Sequence, residues 1–328
     1  MNPILVGCPF DNAIQTMLRF KRGVTGAAAG SAAVLAAFAQ QYQAQHPHIT
    51  AVTLPLQQYN LPLTSDNWRD LATATTQHLY TDQAHALVTT TVVDYHRENY
   101  LPIAIGGDHS LTFPLVRGLK EAYPQRSVGL IYLDSHLDMR SLESFRGVRG
   151  LVSNGNSFRR LVVDMKTRLN GRNIAIIGLQ PSRSSIFWQM SSFAKSQQVT
   201  MVHRDEVGYG VSDMLKKAAD RAIVAATDGT DGVYLSIDIG VADRSVAPGV
   251  SAPNSDGLSS EQLIALVRMI ASRVPLLGID LVEVSSRKTH WGELWGEKPR
   301  ETDSTGQFKL DKTADLAARI LHEILRNL

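Results

Sequence analysis

The sequence predicts an α/β protein, a three-layer α/β/α sandwich around a mainly parallel sheet of about eight strands. Two observations carry that prediction. Apolar runs of strand length recur along the chain with helical stretches between them. The runs are also continuously apolar rather than alternating, as suits strands buried on both faces of a parallel sheet.

In chain order, the first strand is expected at residues 4–6 and is followed by a helix over 27–45, a stretch rich in Ala and Gln. A strand at 49–54 precedes a helix over 79–98, whose apolar residues recur at close to the helical period. The strand at 103–105 runs into a helix over 110–122, and strands follow at 128–133, 174–177 and 199–202. A helix over 211–226 leads to a strand at 233–237. The next helix, over 259–272, opens with Ser259 three residues before Gln262, the pattern of a capping box. A strand at 276–282 and a helix over 313–328 complete the series. No Pro/Gly/Ser-rich linker splits the chain, so residues 1–328 are read as one domain.

Composition excludes several function classes. The 33 basic and 31 acidic residues are spread along the chain for a net charge of +2, so no basic block points to nucleic acid or to an anionic membrane surface. No apolar stretch approaches the ~18 residues of a membrane span, and the first residues lack a signal-peptide pattern. The expected location is therefore the cytoplasm. Cys8 is the only cysteine, which rules out an intrachain disulfide, and it reads as a small buried apolar residue of the first strand.

The chemistry is concentrated where strands end. Gly106-Gly107-Asp108-His109-Ser110, Asp134-Ser135-His136-Leu137-Asp138 and Ser236-Ile237-Asp238-Ile239-Gly240 each follow an apolar run. In a parallel sheet their polar residues converge on one edge. If the second segment continues its strand, Asp134, His136 and Asp138 alternate onto one side. Two carboxylates and an imidazole at a buried strand end are costly without a cation to pair with. Such a set suits a pair of divalent ions, which activate a water molecule for attack on an electrophilic carbon. Glu283 lies beyond the last strand, and its carboxylate suits the parallel N–H groups of an amidine or guanidine. The polar stretches 142–156 and 285–305 are expected to rim the site.

Taken in order, these segments resemble the ureohydrolase family of arginases, agmatinases and formimidoylglutamases. The resemblance extends from Pro9-Phe10-Asp11, through Arg22-Gly23 with Gly26 and Gly30, to Thr313-Ala314-Asp315-Leu316-Ala317-Ala318-Arg319. It implies that His109, Asp134, His136, Asp138 and Asp238 are manganese ligands and that Glu283 holds the amidino group. Among subtypes the chain looks most like formimidoylglutamase, from Leu137-Asp138-Met139-Arg140, from the segment 154–161 that contains Asn156 and Arg159, and from Ala247-Pro248-Gly249-Val250-Ser251-Ala252-Pro253. No His occurs between His136 and His203, where arginases carry one soon after D-x-H-x-D. Arg140 and Arg159 are then expected to meet the two carboxylates of a glutamate derivative, with Asn156 beside them.

The resemblance thus implies manganese-dependent hydrolysis of N-formimidoyl-L-glutamate to glutamate and formamide, with Asp138 or a neighbouring acid passing a proton to the leaving amine. It also implies a homo-oligomer, a trimer or hexamer. The chain departs from the family pattern S-x-D-x-D by placing Gly240 at the second Asp. It has Asp243-Arg244 where the family has D-P, and Glu283-Val284-Ser285-Ser286 where the family has E-x-N-P. The second manganese position is therefore expected to bind weakly. Two alternatives follow: another guanidino or amidino substrate, or a homologue with an impaired metal site and little hydrolase activity.

Overall fold

Each of the eight apolar runs forms a strand: Asn2–Gly7 (β1), Thr50–Thr53 (β2), Tyr100–Ile105 (β3), Val128–Leu133 (β4), Ile174–Leu179 (β5), Thr200–His203 (β6), Gly232–Asp238 (β7) and Leu276–Val282 (β8). This computed structural model describes residues 1–12, 27–61, 71–142, 152–285 and 312–328. The strands make one sheet in the order β2-β1-β3-β8-β7-β4-β5-β6, and every pairing in it is parallel. Strands β4, β5, β7 and β8 are buried along their whole length, which explains their unbroken apolar sequences. β2 lies at an edge and is mostly exposed.

Helices cover both faces. Alternate strand residues point to opposite sides, so Leu5, Ile103, Ile105, Ile131 and Leu133 join one core, while Ile4, Val6, Ala104, Leu130 and Tyr132 join the other. The first core is closed by helices Ala27–Tyr42 (α1), Asp213–Thr227 (α7), Ser260–Ala271 (α8) and Lys312–Leu325 (α9). The second is closed by Leu71–Arg97 (α2), Thr112–Ala122 (α3), Ser157–Val163 (α4) and Ser185–Ser196 (α5). A four-residue helix, Arg204–Val207 (α6), follows β6. Ser259 caps α8 through the expected box with Gln262, its hydroxyl accepting from the Gln262 N–H at 3.2 Å. Cys8 is fully buried, and burial, with Asp280 nearby, pushes its thiol up to about 12.

Helices α4 and α5 were not expected: α4 is short, with Phe158, Leu161 and Val162 buried at helical spacing, and α5 carries a weak sequence signal. In α5 the buried set is Phe187, Ser191 and Ala194, while Trp188 on the same helix is exposed. Two of the three inward residues are thus small or polar, and the apolar stripe is lost. Helix α2 begins at Leu71, earlier than the expected residue 79. No described helix is long and apolar enough to cross a membrane.

Two histidines of α2 make the fold acid-sensitive. Burial lowers His85 to about 3, with Arg160 and Arg117 adding to the effect, and lowers His96 to about 4, with Arg126 adding. Both sit below the usual value of 6.5, so the unfolded chain takes up these protons first. Stability is therefore fully present above that value and falls as pH drops from it toward 4 and below, by up to about 1.4 kcal/mol per pH unit for each group. Urea melts of wild type and His96→Phe at several pH values should show a shallower loss in the variant. Equal slopes in the two proteins would remove His96 as a cause.

Candidate metal centre

Strands β3, β8, β7 and β4 stand side by side in the middle of the sheet. The chain leaves each of them at the same edge, which brings four separate sequence segments together. After β3, Gly106 and Gly107 adopt φ of 79° and 77°, a region that a β-carbon disfavours. A Cβ on Gly107 would also lie 2.7 Å from the Cys8 carbonyl oxygen. This tight turn delivers His109 on a short 3-10 turn, His109–Leu111, where the Asp108 side chain accepts from the Ser110 N–H at 3.0 Å.

After β4 the chain does not continue as an extended strand. Asp138 takes φ of 45°, a left-handed conformation that costs on the order of 1–3 kcal/mol away from glycine. The expected alternation is corrected accordingly. Asp134 and Asp138 turn inward to His109, whereas the His136 side chain is 53% exposed at the mouth. Its backbone N–H donates to Asp134 Oδ1 at 2.8 Å, and its Nδ1 lies 3.4 Å from the same oxygen.

The centre forms around His109 Nδ1. Asp134 Oδ2 lies 3.2 Å from it, Asp138 Oδ2 3.3 Å and Asp238 Oδ2 3.5 Å. Ligand atoms of His109, Asp134 and Asp238 all fall within 4.8 Å of one another. On the far side of the ring, Nε2 lies 3.0 Å from Ser236 Oγ, and the Ser236 hydroxyl donates to Asp280 Oδ1 at 2.7 Å. With its only proton committed to Asp280, Ser236 must accept from His109 Nε2–H. That places one proton on Nε2 and leaves Nδ1, which faces three carboxylates, to take either a proton or a cation. Asp280 is itself held by the hydroxyls of Tyr234 and Thr112, each at 2.9 Å. Phe158 of α4 packs edge-on to the His109 ring at 4.8 Å and stacks on Tyr132 at 3.9 Å.

This donor set fits a divalent cation. His109 Nδ1 and Asp134 Oδ2 are both buried and, despite their proximity, have no hydrogen-bond partner. One imidazole nitrogen and three carboxylate oxygens match a borderline-to-hard ion such as Mn2+. The electrostatics agree. Burial alone would lower the His109 pKa, but the surrounding carboxylates hold it well above 6.5. Burial, reinforced by Asp134, raises Asp238 to about 6, while the bonds to His109 and His136 outweigh burial and lower Asp134 to about 2. For His136 the carboxylates of Asp134, Asp138 and Asp238 lift it to about 9.

Past Asp238, the end of β7 presents Gly240 and no second carboxylate through Ala242. The Gly240 N–H donates to Asp238 Oδ1 at 2.6 Å. The Asp238 oxygen turned away from His109 is thereby engaged by backbone. Among the described residues, one group of three or more metal-binding side chains is found, that of His109, Asp134 and Asp238.

Glu283 follows β8 with φ of 64° and is 3% exposed. It stands beside the centre, its Oε1 accepting from the His109 N–H at 2.9 Å and its Oε2 from the Ser251 hydroxyl at 2.6 Å. Burial, then Asp238 and Asp108, raise its pKa well above 4.5. The other expected substrate residues are more dispersed. The Arg140 N–H donates to the Gly155 carbonyl at 2.9 Å, tying it to the turn Asn154–Asn156 that packs against His109–Leu111. Asn156 closes a capping box, its Oδ1 accepting from the Ser153 N–H at 3.0 Å. The Arg159 guanidinium lies 3.9 Å from the centre of the Phe193 ring on α5. Arg22, Gly23, Gly26 and Ser286, and most of the two rim stretches at 143–151 and 286–305, lie outside the described residues.

The supporting residues were missed at the sequence level, although two left a trace. Ser236 and Asp280 are polar residues inside otherwise apolar strands, a pattern that invites a search for partners. Phe158 lies within the 154–161 segment that carries the family resemblance, but nothing there points to its packing on His109.

Comparisons with known proteins agree with this geometry. A family model described as the arginase family matches residues 2–326. A formimidoylglutamase of Halalkalibacterium halodurans is 29% identical over 202 residues, covering 62% of this chain and 59% of that protein. The chain thus spans about three fifths of the length of this curated relative. The crystal structure of a Bacillus subtilis formimidoylglutamase superposes with a TM-score of 0.71 at 21% identity, over 99% of this chain and 86% of that one. A Trypanosoma cruzi formiminoglutamase solved with Mn2+ superposes at 0.69 and 19% identity, over 99% and 93%. At these identities the structures establish the shared fold.

Proposed function

We propose that this chain, which belongs to the arginase family, hydrolyses the formimino C–N bond of N-formimidoyl-L-glutamate, giving glutamate and formamide, with manganese as its metal. The convergence of His109 Nδ1 with three carboxylates from two other strand-end segments carries the reading. The substrate assignment is supported by the motifs around Arg140 and Ser251 and by a curated relative of that name.

His109, Asp134, Asp138 and Asp238 would hold the first ion, and His136 with Asp134 and Asp238 a weaker second. When bound, such ions supply an activated water as nucleophile and stabilise charge at the attacked carbon. The protein's own groups do the rest. Glu283 is fixed by His109 N–H and Ser251 O–H, and the remaining lone pairs of its two oxygens can accept N–H bonds from the amidinium. Asp138, beside the centre at 3.3 Å from His109 Nδ1, is the proposed relay that passes a proton from the attacking water to the departing amine. Water adds its oxygen to the formimino carbon, the bond to the glutamate nitrogen breaks, and that nitrogen leaves protonated. Arg140 and Arg159 are the proposed partners of the two glutamate carboxylates, and Arg159 would have to leave Phe193 to serve. In the cytoplasm such a chain would act on a free small molecule, as a trimer or hexamer by analogy.

The test is turnover of N-formimidoyl-L-glutamate by manganese-loaded protein, followed as glutamate and formamide. Hydrolysis of guanidino acids alone would transfer the reading to another substrate of the same bond class. A second reading, a homologue with little hydrolase activity, is favoured by the bond between Gly240 N–H and Asp238. It predicts no turnover of either class. Arg140→Ala is expected to raise KM at least ~10-fold with a smaller change in kcat, because lost ground-state binding appears in KM. An unchanged KM would remove Arg140 from the substrate site.

A further inference from the structure

A cavity of about 560 Å³ lies between α2, α3 and the segment around α4, on the outer side of the helical layer rather than at the strand ends. Its size is that of a small-molecule site. Three cations, Arg117, Arg160 and Lys166, and three carboxylates, Asp82, Glu121 and Asp164, line it. Ion pairs among them lie in the wall, Arg117 Nε to Glu121 Oε1 at 3.0 Å and Lys166 Nζ to the same oxygen at 3.6 Å. Both pairs are part-exposed and so cheap to rearrange.

A second, independent observation comes from His85, another of the lining residues. It is 6% exposed, and its Nε2 lies 3.2 Å from Ser110 Oγ. Its Nδ1 is buried with no hydrogen-bond partner. An unpaired buried polar atom costs about 1–3 kcal/mol unless a ligand or water pairs with it. Phe113 and Pro114 add an apolar strip to the same wall.

We infer that this cavity is a binding site for a small zwitterion of the amino-acid type, with one carboxylate and one ammonium group. The balance of charge carries the choice. A net anion could be met only by drawing Arg117 or Lys166 away from Glu121, leaving that carboxylate facing it, and a net cation would do the same to the basic groups. An apolar ligand would strip water from all six without pairing any. A zwitterion can meet one group of each sign, rest its side chain on Phe113 and Pro114, and hydrogen-bond to His85. Ser110, the partner of His85, directly follows His109 in the chain. The inference does not depend on the hydrolase reading.

The test is calorimetric titration of the full chain with the common L-amino acids, and with acetate and methylammonium as half-ligands. At least one amino acid should bind with one site per chain. Ala86→Trp, which adds bulk to an exposed lining position of α2, should weaken that binding at least ~10-fold, as should His85→Phe. If His85→Phe does not fold, Thr90→Trp, at another exposed lining position, takes its place. Failure of every amino acid to bind at ~10 mM, equal binding by acetate alone, or undiminished binding in Ala86→Trp would overturn the proposal.

Discussion

Asp238→Ala should abolish metal binding and, with it, any hydrolysis. Asp238 contributes Oδ2 to the group around His109 Nδ1, and it is the only acidic group at the end of β7. Losing even a partner behind a metal ligand typically costs about 10–100-fold in affinity, so losing this ligand should cost at least that much. The variant should still fold, because Asp238 is a buried acid whose pKa is already raised to about 6, so its charge is poorly accommodated without a metal. Manganese uptake by elemental analysis and a thermal melt with and without the ion would read both halves of the expectation. Normal manganese content in folded Asp238→Ala would show that Asp238 is not a ligand.

Gly240→Asp should tighten a second ion. A Cβ at Gly240 would lie 2.9 Å from Asp238 Oδ1, with Ala252 O at 3.9 Å, so the Asp238 side chain has to give by a few tenths of an ångström. The backbone at Gly240 is not among the positive-φ positions, so the substitution carries no conformational penalty of that kind. The sign of the effect depends on the metal. In the metal-free protein a further carboxylate joins Asp134, Asp138 and Asp238, at a cost of about 1–3 kcal/mol. In the loaded protein the same charge is a ligand. The variant should therefore melt lower than wild type in chelator and gain more from added manganese. Its metal content should rise toward two ions per chain, at least ~10-fold tighter for the second. Unchanged stoichiometry and affinity in a folded variant would mean that Gly240 is not what limits the centre, and Asp243 would be the next residue to test.

Much of the centre was legible because its information is local. The apolar runs ending in Asp134 and Asp238, and the paired glycines before His109, mark strand ends wherever the strands sit. The role of His136 was less legible. Its spacing suggested an inward ligand, but the left-handed φ at Asp138 bends the segment, and the His136 side chain remains 53% exposed. Asn156 and Arg159 carried a family motif, yet their side chains hold a capping box and the Phe193 ring. Spacing along a chain does not say which of several reachable partners a polar side chain takes.

By itself, the sequence determined eight strands, helices between them, and acidic and imidazole groups at four strand ends. These depend on hydrophobic period and on residues next to one another. Only the tertiary structure decided that β8 and β7 lie between β3 and β4. That order sets Asp280 against Ser236 and Ser236 against His109, and so places a proton on Nε2 and leaves Nδ1 toward the carboxylates. The reason is physical. Strand order is fixed by packing among residues more than a hundred positions apart, such as the 127 that separate His109 from Ser236, and no local pattern encodes it.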